Sequence, residues 1–345
     1  MSIGKKSFLF SVLIICILIA SSLMAACAQP APAPSTTPTP APTPKVEPIT
    51  LKAISYLASN SDFVSWLKKF ADIVTQQSNG ALTIKYLGGP EVIPGPNQAQ
   101  AVVTGAVDIS MHDMTELVPE AALWDLSKLT FEQEKSSGFL DLMEAKYEKA
   151  GIYYLWRLPV QDGFYLMTKF KVSKPEDFAN KKMRVSPPVA SFYKALKIAG
   201  TSIPMPEQYA ALERGVVQGK AGKLASTIDE KSYEVLDYWV DHTFYSGGGE
   251  AICISLAKWN SLPADMQKLM VSVTNSLQEE ASKYYAAKIA EYKQVLKDNG
   301  MEPITFTPED AKHFVDLAYS SEWAAQATKL EPEFINKAKA CQGLQ

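Results

Sequence analysis

After residue 48, the spacing of apolar and polar residues alternates between two periods. Apolar residues three or four positions apart predict helices, and short alternating or continuous apolar runs predict strands. The first half of this region has three predicted strands and two predicted helices in alternation: Ile49–Tyr56, Asp62–Gln77, Leu82–Tyr86, Asn97–Thr104 and Val107–Met111. This order predicts βαβ units and an α/β fold with a parallel or mixed sheet.

The second half continues the alternation and contains one unusually long helical segment. Lys135–Ala150 has helical spacing, and Ile152–Leu158 is an aromatic-rich predicted strand. The segment Ala264–Asn299 predicts a helix about 54 Å long, which exceeds the width of a small domain. The chain closes with a strand at Pro303–Phe306 and two helices.

A short strand near the middle of the chain has an arginine close to its carboxyl end. Lys182–Val185 alternates polar with apolar residues, which predicts a half-buried strand that includes Arg184. Pro187 and Pro188 end this strand, and Val189–Ala199 then has the spacing of a helix.

Polar residues at the carboxyl ends of strands are candidates for ligand contact, because ligands of open α/β sheets bind there. The planar guanidinium of Arg184 can hold a carboxylate through two parallel hydrogen bonds. His112 and Asp113 follow the strand that ends at Met111 and occupy an equivalent position. An arginine at a strand end is more often a solvated surface charge, so the pattern alone leaves both interpretations open.

The first 48 residues have the composition of a secretion and anchoring segment. Residues 1–26 combine two early lysines with an uninterrupted apolar stretch, which predicts a signal peptide. The string ending at Cys27 resembles a bacterial lipobox, so we expect lipidation of Cys27; ordinary cleavage after Ala26 or Ala28 is the alternative. Residues 27–48 alternate proline with alanine and threonine, which favours an extended linker about 60 Å long at most.

Composition limits the class of protein further. With 345 residues, of which 47% are hydrophobic, the chain can form about two domains. The formal net charge of −3 gives no broad basic surface, so no nucleic-acid partner is expected. Four cysteines without a CxxC spacing favour neither a zinc site nor a redox motif. A disulfide between Cys253 and Cys341 is compatible with export but weakly supported.

The sequence contains no recognisable catalytic constellation. The three histidines have no metal-binding spacing, and no GxSxG motif is present. The segment from Gly215 to Ala221 is one residue short of a phosphate-binding loop and has no Ser or Thr after its lysine. We therefore expect no enzymatic activity, no cofactor and no metal.

Three blocks of sequence occur in the order typical of one transport family. They are Gly80–Gly89 with Gln100–Ile109, then Lys182–Val185 with Ile203–Pro206 and Tyr209–Gly219, then Lys258–Asp265. Together they resemble the DctP-type solute-binding proteins of TRAP transporters, and the similarity extends over most of the chain after Pro48.

The resemblance implies a two-lobed α/β fold of the periplasmic-binding-protein (Venus flytrap) type, with mixed sheets, hinge crossings and a long helix spanning both lobes. We expect lobe I at 49–163 plus 250–289 and lobe II at 164–249 plus 290–345. The chain would cross between lobes near Gly163 and at Gly247, Gly248 and Gly249, where glycines suit a hinge. An ordinary loop is an equally good interpretation of the glycine run.

The resemblance also implies a binding site. The family arginine that holds the substrate carboxylate corresponds to Arg184. Where family members place a second arginine this chain has Tyr165, and where many place an asparagine it has Gly222. The candidate ligand-binding residues are Arg184, Tyr165, Asp113, His112, Met205, Pro188, Gly222 and Trp66.

These observations predict an extracytoplasmic, lipid-anchored binding protein for a small organic acid. Its partners would be the two membrane permease subunits of an ion-gradient-driven TRAP transporter. The alternatives are a ligand-binding sensor component and, with less support, a two-lobed hydrolase. Without a second arginine, we expect a monocarboxylate with an apolar or aromatic body to bind in preference to a dicarboxylate or sialic acid.

Overall fold

The computed structural model describes residues 47–159, 162–245 and 250–344, and strands in this part of the chain form two mixed sheets flanked by helices. The α/β prediction is therefore confirmed. The strands are β1 (Ile49–Ser55), β2 (Leu82–Gly88), β3 (Ile109–Met111), β4 (Ile152–Arg157), β5 (Tyr165–Thr168), β6 (Lys182–Val185), β7 (Ala199–Ser202), β8 (Gly219–Gly222), β9 (Tyr238–Val240), β10 (Ala251–Ser255) and β11 (Glu302–Ile304).

Helices precede or follow most strands. They are α1 (Asp62–Gln77), α2 (Gly95–Val103), α3 (Phe131–Ser136), α4 (Phe139–Lys149), α5 (Ala190–Ala195), α6 (Gln208–Glu213), α7 (Leu224–Asp229), α8 (Leu256–Ser261), α9 (Ala264–Asp298), α10 (Pro308–Ala327) and α11 (Pro332–Cys341). None of the helices in the described ranges is both long and apolar enough to cross a bilayer.

The first sheet has the strand order β2-β1-β3-β10-β4, and the second has the order β11-β9-β5-β8-β6-β7. In the first sheet, β1 runs parallel to β2 and β3, so the carboxyl ends of these three strands share one edge. In the second sheet, β6 runs parallel to β7 and β8. The polar residues that follow β1, β3, β6 and β8 are thereby placed at sheet edges, where ligands of α/β proteins bind.

Two of the predicted helices are interrupted by a residue with a left-handed backbone conformation. The single helix predicted over Val189–Ala199 is wrong: α5 ends at Ala195, and the segment from Ala199 forms the edge strand β7. Lys197 adopts φ 56°, a left-handed conformation that ends the helix. The helix predicted over Lys135–Ala150 is likewise interrupted, because Gly138 adopts φ 78° between α3 and α4.

The long helix α9 agrees with the predicted segment and ends one residue earlier, at Asp298. Its 35 residues correspond to about 52 Å. It packs against α1, where Tyr284 Oη donates a hydrogen bond of 2.8 Å to Asp62 Oδ1. It also contacts α7 and the strands β4 and β11, so it touches elements of both sheets.

The chain passes from the first sheet to the second between β4 and β5, and Gly163 has a steric role just before β5. Gly163 adopts φ 63°, and a Cβ at this position would lie 3.0 Å from both Thr243 Cβ and the carbonyl oxygen of Tyr245. A side chain at residue 163 would therefore be strained. Gly247, Gly248 and Gly249 lie outside the described residues, as does Cys27, and the lobe boundaries and the hinge stay predictions. Cys253 and Cys341 are free thiols.

The carboxylate of Asp162 connects this crossing to helix α7. Its Oδ2 accepts hydrogen bonds from the backbone N–H groups of Leu224 at 2.7 Å and Ala225 at 3.3 Å. Its buried Oδ1 has no hydrogen-bond partner among the described residues. Burial raises the pKa of Asp162 from 3.8 to about 6, although the two N–H groups oppose this shift.

We predict that Asp162→Asn changes how stability depends on pH. Because the pKa of Asp162 is raised in the folded state, its ionisation lowers the free energy of unfolding as pH rises from about 4 to about 6. Asparagine does not ionise, and its side-chain oxygen can still accept from Leu224. The unfolding free energy of the variant minus that of the parent should therefore rise across this window, by about 3 kcal/mol at most.

Denaturant titrations at pH 4, 5, 6 and 7 measure this difference. Asp72→Asn, at an exposed position of α1, is the matched control and should give a nearly constant difference. A constant difference for Asp162→Asn as well would show that the carboxyl group titrates normally.

Candidate functional site

A cavity of about 510 Å³ is lined by residues from both sheets. Tyr56 and His112 directly follow β1 and β3 of the first sheet, and Arg184 and Lys220 belong to β6 and β8 of the second. A second hollow of similar volume beside the stacked rings of Tyr153 and Trp259 has no carboxylate in its lining. The first cavity is therefore the candidate site, because charged groups of both signs converge there.

Arg184 is half-buried at the edge of the second sheet. Its Nε donates a hydrogen bond of 3.1 Å to the carbonyl oxygen of Ile203, which fixes the orientation of the guanidinium. Within the described ranges this guanidinium has no other hydrogen bond. No carboxylate oxygen there lies within 4.0 Å of its nitrogens, the limit for an ion pair. Burial lowers the pKa of Arg184, and the more distant charge of Glu230 opposes this effect. Its two terminal nitrogens are available to a ligand.

Two lysines nearby, Lys220 in β8 and Lys223 directly after it, are each paired with a glutamate. Lys220 is 1% exposed, and its Nζ lies 2.7 Å from Glu230 Oε2 and 3.2 Å from Ser232 Oγ. Lys223 Nζ lies 3.1 Å from Glu250 Oε2. Burial lowers the pKa of Lys220, while Glu230 raises it. The fourth cation of the lining, Lys329, is solvent-exposed.

On the opposite wall, His112 follows β3 and is 2% exposed. Its Nδ1 accepts a hydrogen bond of 2.6 Å from the backbone N–H of Met114, and its Nε2 lies 3.5 Å from Glu116 Oε2. Burial lowers the pKa of His112, and Glu116 and Asp113 raise it by more. A proton on Nδ1 would, however, face the N–H of Met114, so the neutral ring with its proton on Nε2 fits this arrangement best.

His112, Asp113 and Glu116 are close enough to be considered as a metal site, since their ligand atoms lie within 4.8 Å of one another. A metal would need the lone pair of Nε2, and Nδ1 would then have to carry the proton. The N–H of Met114, which points at Nδ1, opposes that tautomer. The group therefore fits a hydrogen-bonding and charged wall better than a metal centre, and we call it the acidic wall.

The structure brings most of the predicted site residues together. Those that line the cavity are Arg184, Asp113, His112, Met205, Pro188 and Gly222. Tyr165 and Trp66 do not line it.

Tyr165 is absent from the cavity because its side chain points to the other face of β5, and Trp66 is absent because no residue of α1 lines the cavity. Phe164 lines the cavity, and the next residue, Tyr165, is turned the opposite way, with Lys293 Nζ of α9 5.8 Å from its ring centre. Trp66 packs against the ring of Tyr284, with centroids 5.5 Å apart.

Sequence reasoning missed Tyr56 and the paired lysines Lys220 and Lys223. Tyr56 follows β1 as His112 follows β3, so the rule that identified His112 could have found it. The strand β8 was not predicted, because Gly-Lys-Ala-Gly has no β-branched or aromatic residue. The ion pairs with Glu230 and Glu250 are contacts that no periodicity reveals.

Comparison with known proteins agrees with this architecture. Residues 54–328 match the family described as "Bacterial extracellular solute-binding protein, family 7" (DctP). The C4-dicarboxylate-binding periplasmic protein DctP of Shewanella loihica is 22% identical over 311 residues, which are 85% of this chain and 90% of that protein. An uncharacterized protein, y4mM of Sinorhizobium fredii, is 28% identical over 216 residues, 58% of this chain; the match spans only 37% of its length.

A solved structure shows the same fold. The crystal structure of DctP7, a Bordetella pertussis extracytoplasmic solute receptor that binds pyroglutamic acid, superimposes with a TM-score of 0.75. The alignment covers 86% of this chain and 99% of that one at 17% identity. Structural neighbours of this kind are two-lobed TRAP solute-binding proteins, as the sequence blocks had indicated. With a family match over most of its length, this chain belongs to the DctP family of bacterial extracellular solute-binding proteins.

Proposed function

We propose that this protein captures a small organic monocarboxylate in the cavity, with the carboxylate on Arg184, and passes it to a TRAP-type membrane permease. The observation that carries the proposal is the half-buried guanidinium of Arg184, which has no carboxylate partner among the described residues. A ligand carboxylate would supply that partner through two parallel hydrogen bonds.

The charges around Arg184 support a monoanionic contact. Lys220 and Lys223 already pair with Glu230 and Glu250, so they do not offer a second free cation to a diacid. The apolar part of a small ligand would meet side chains such as Phe164 and Met205. The pyroglutamic acid named for the Bordetella structure is one example of a small monocarboxylate bound by a related fold.

We further propose that binding occurs without chemical turnover and closes the two lobes. A ligand held by residues of both sheets makes its full set of contacts only when the walls approach each other, so it shifts the population toward the closed form. Export by the signal peptide and anchoring through Cys27 would keep this binding step outside the cytoplasm and close to the permease.

Substitutions of Arg184 test the carboxylate contact. Arg184→Lys keeps the charge but loses the planar pair of donors, so we expect clearly weaker binding. Arg184→Ala should cost about 2–5 kcal/mol of binding free energy, because the ligand charge is left unpaired. Calorimetry with ligands first identified by thermal shift over a panel of organic acids measures both effects. Arg214→Lys, on an exposed part of α6's C-terminal end, should bind like the parent. Parent-like affinity of Arg184→Ala would refute the contact.

Solution scattering tests closure. The radius of gyration should decrease when a saturating ligand is added to the parent protein. The control is Arg184→Ala at the same ligand concentration, set about tenfold above the parent's dissociation constant so that the weakened site is mostly empty; its scattering profile should change much less. An unchanged profile for the ligand-saturated parent would contradict the hinged mechanism.

Fractionation of cells tests anchoring. Changing Cys27 to Ser should move the protein from the membrane fraction to the soluble extracytoplasmic fraction while the thermal unfolding midpoint stays the same. The free thiol variant Cys341→Ser should remain at the membrane. A Cys27→Ser protein with a cleaved signal peptide that still sediments with membranes would exclude lipidation of this cysteine.

A further inference from the structure

Beside Arg184, the cavity lining contains a carboxylate of the protein itself that is held by three donors. Glu230 Oε2 accepts hydrogen bonds from Gln208 Nε2 at 2.6 Å and from Lys220 Nζ at 2.7 Å. The hydroxyl of Ser232 donates to the same oxygen at 3.3 Å. We call Gln208, Lys220 and Ser232 the donor cluster; the first two line the cavity together with Glu230. A cation and two neutral donors that converge on one carboxylate oxygen form a carboxylate-binding site.

The donor cluster is buried, whereas the carboxylate that it holds is partly exposed. Gln208, Lys220 and Ser232 are 2%, 1% and 0% exposed, and the side chain of Glu230 is 23% exposed. Burial lowers the pKa of Lys220, Glu230 raises it, and the charge of Arg184 lowers it further. A buried cation beside a second cation needs an anion as its partner. The donor cluster therefore requires one carboxylate, which a ligand could supply as well as Glu230.

Strand pairing places the donor cluster next to the arginine that the proposed function assigns to the ligand. Arg184 and Lys220 are register partners in the parallel strands β6 and β8, so their side chains leave the same face of the sheet. Arg184 is fixed toward the carbonyl of Ile203, and Lys220 is fixed toward Glu230. The ammonium of Lys220 also lies beside the cavity residue Gly222, because a Cβ at residue 222 would be 3.8 Å from Lys220 Nζ. The cavity thus has two adjacent cationic positions on one wall, and Glu230 fills one of them.

We propose that the donor cluster is a second carboxylate-binding position, which Glu230 occupies in place of a ligand, and that Glu230 thereby restricts the site to acids with one carboxylate. This inference rests on the proposed function and names the residue that sets its selectivity. A diacid with one end on Arg184 would find the neighbouring donors taken and would meet the negative charge of Glu230. Selectivity of this kind comes from an unfavourable contact with the wrong ligand rather than from a better contact with the right one.

Removal of the Glu230 side chain tests the second position. Glu230→Ala frees the three donors and leaves room for a ligand carboxylate beside them. We would measure by calorimetry the dissociation constants of unbranched monoacids and α,ω-diacids of four to eight carbons for the parent and the variant. At the best length, the monoacid constant divided by the diacid constant should rise about 10- to 100-fold, because the second carboxylate gains hydrogen bonds to a charged group. Glu230→Ser, which also leaves room, is measured in parallel so that a folding defect in one variant does not decide the outcome.

Three further variants separate the effects of volume, charge and the lysine. Glu230→Gln removes the charge but keeps the volume, so the position stays filled and the ratio should change much less than in Glu230→Ala. The double variant Lys220→Met with Glu230→Ala has the room but lacks the cation, so the gain in diacid binding should disappear. Glu213→Gln, at an exposed position of α6, is the surface control and should keep the ratio of the parent.

Acetate tests the donor cluster independently of the carboxylate contact on Arg184. In Glu230→Ala the cluster lacks its carboxylate, so saturating acetate should raise the thermal unfolding midpoint of this variant by about 2 °C more than that of the parent. Chloride at the same ionic strength controls for screening of charges. The double variant Lys220→Met with Glu230→Ala should respond to acetate like the parent, because its Arg184 is unchanged and its cluster has no cation.

The outcomes separate this inference from the proposed function. If the ratio in folded Glu230→Ala and Glu230→Ser stays at the parent's value, or if the gain persists without Lys220, the second position is refuted, while monoacid binding that requires Arg184 leaves the proposed function intact. A parent that already binds diacids more tightly than monoacids would refute both. If no acid binds the parent, or if binding does not require Arg184, the proposed function fails, and the acetate response alone then decides whether the donor cluster holds a carboxylate.

Discussion

A half-buried cation that forms no ion pair with the described residues constrains the arrangement of this site. Partial removal of a guanidinium from water is unfavourable unless its charge is compensated. Arg184 keeps one hydrogen bond, to the carbonyl of Ile203, and that bond orients the group without neutralising it. The neighbouring lysines Lys220 and Lys223 are compensated internally by Glu230 and Glu250. The contrast within one wall is the strongest physical reason to assign the ligand carboxylate to Arg184.

The fold explains how this constraint is met. Parallel strands in each sheet bring their carboxyl ends to one edge, which places Arg184 and Lys220 on one wall of the cavity and Tyr56 and His112 on the other. The two sheets are also connected by the long helix α9, which contacts elements of both, and by the tight packing around Gly163. A ligand that bridges the two walls would therefore lie between elements that α9 and the packing at Gly163 also connect.

Much of the fold could be predicted because its elements have strong periodic patterns. The helices α1 and α9 and the strands β1, β2 and β4 lie within one or two residues of the expected bounds. Local conformation was harder: the left-handed residue Lys197 ended a helix whose apolar spacing continued, and β8 has almost no strand signal. In the site, strand ends identified Arg184, His112 and Asp113. The distance of Trp66 from the cavity and the ion pairs of the lysines depend on tertiary packing that spacing does not encode.

A crystal structure of the protein with a tightly bound organic acid tests the Arg184 contact most directly. We expect both carboxylate oxygens to lie within about 3 Å of the terminal nitrogens of Arg184, while the Lys220–Glu230 pair stays intact. A carboxylate bound by Lys220, Lys223 or Lys329, with the guanidinium of Arg184 left in solvent, would contradict it.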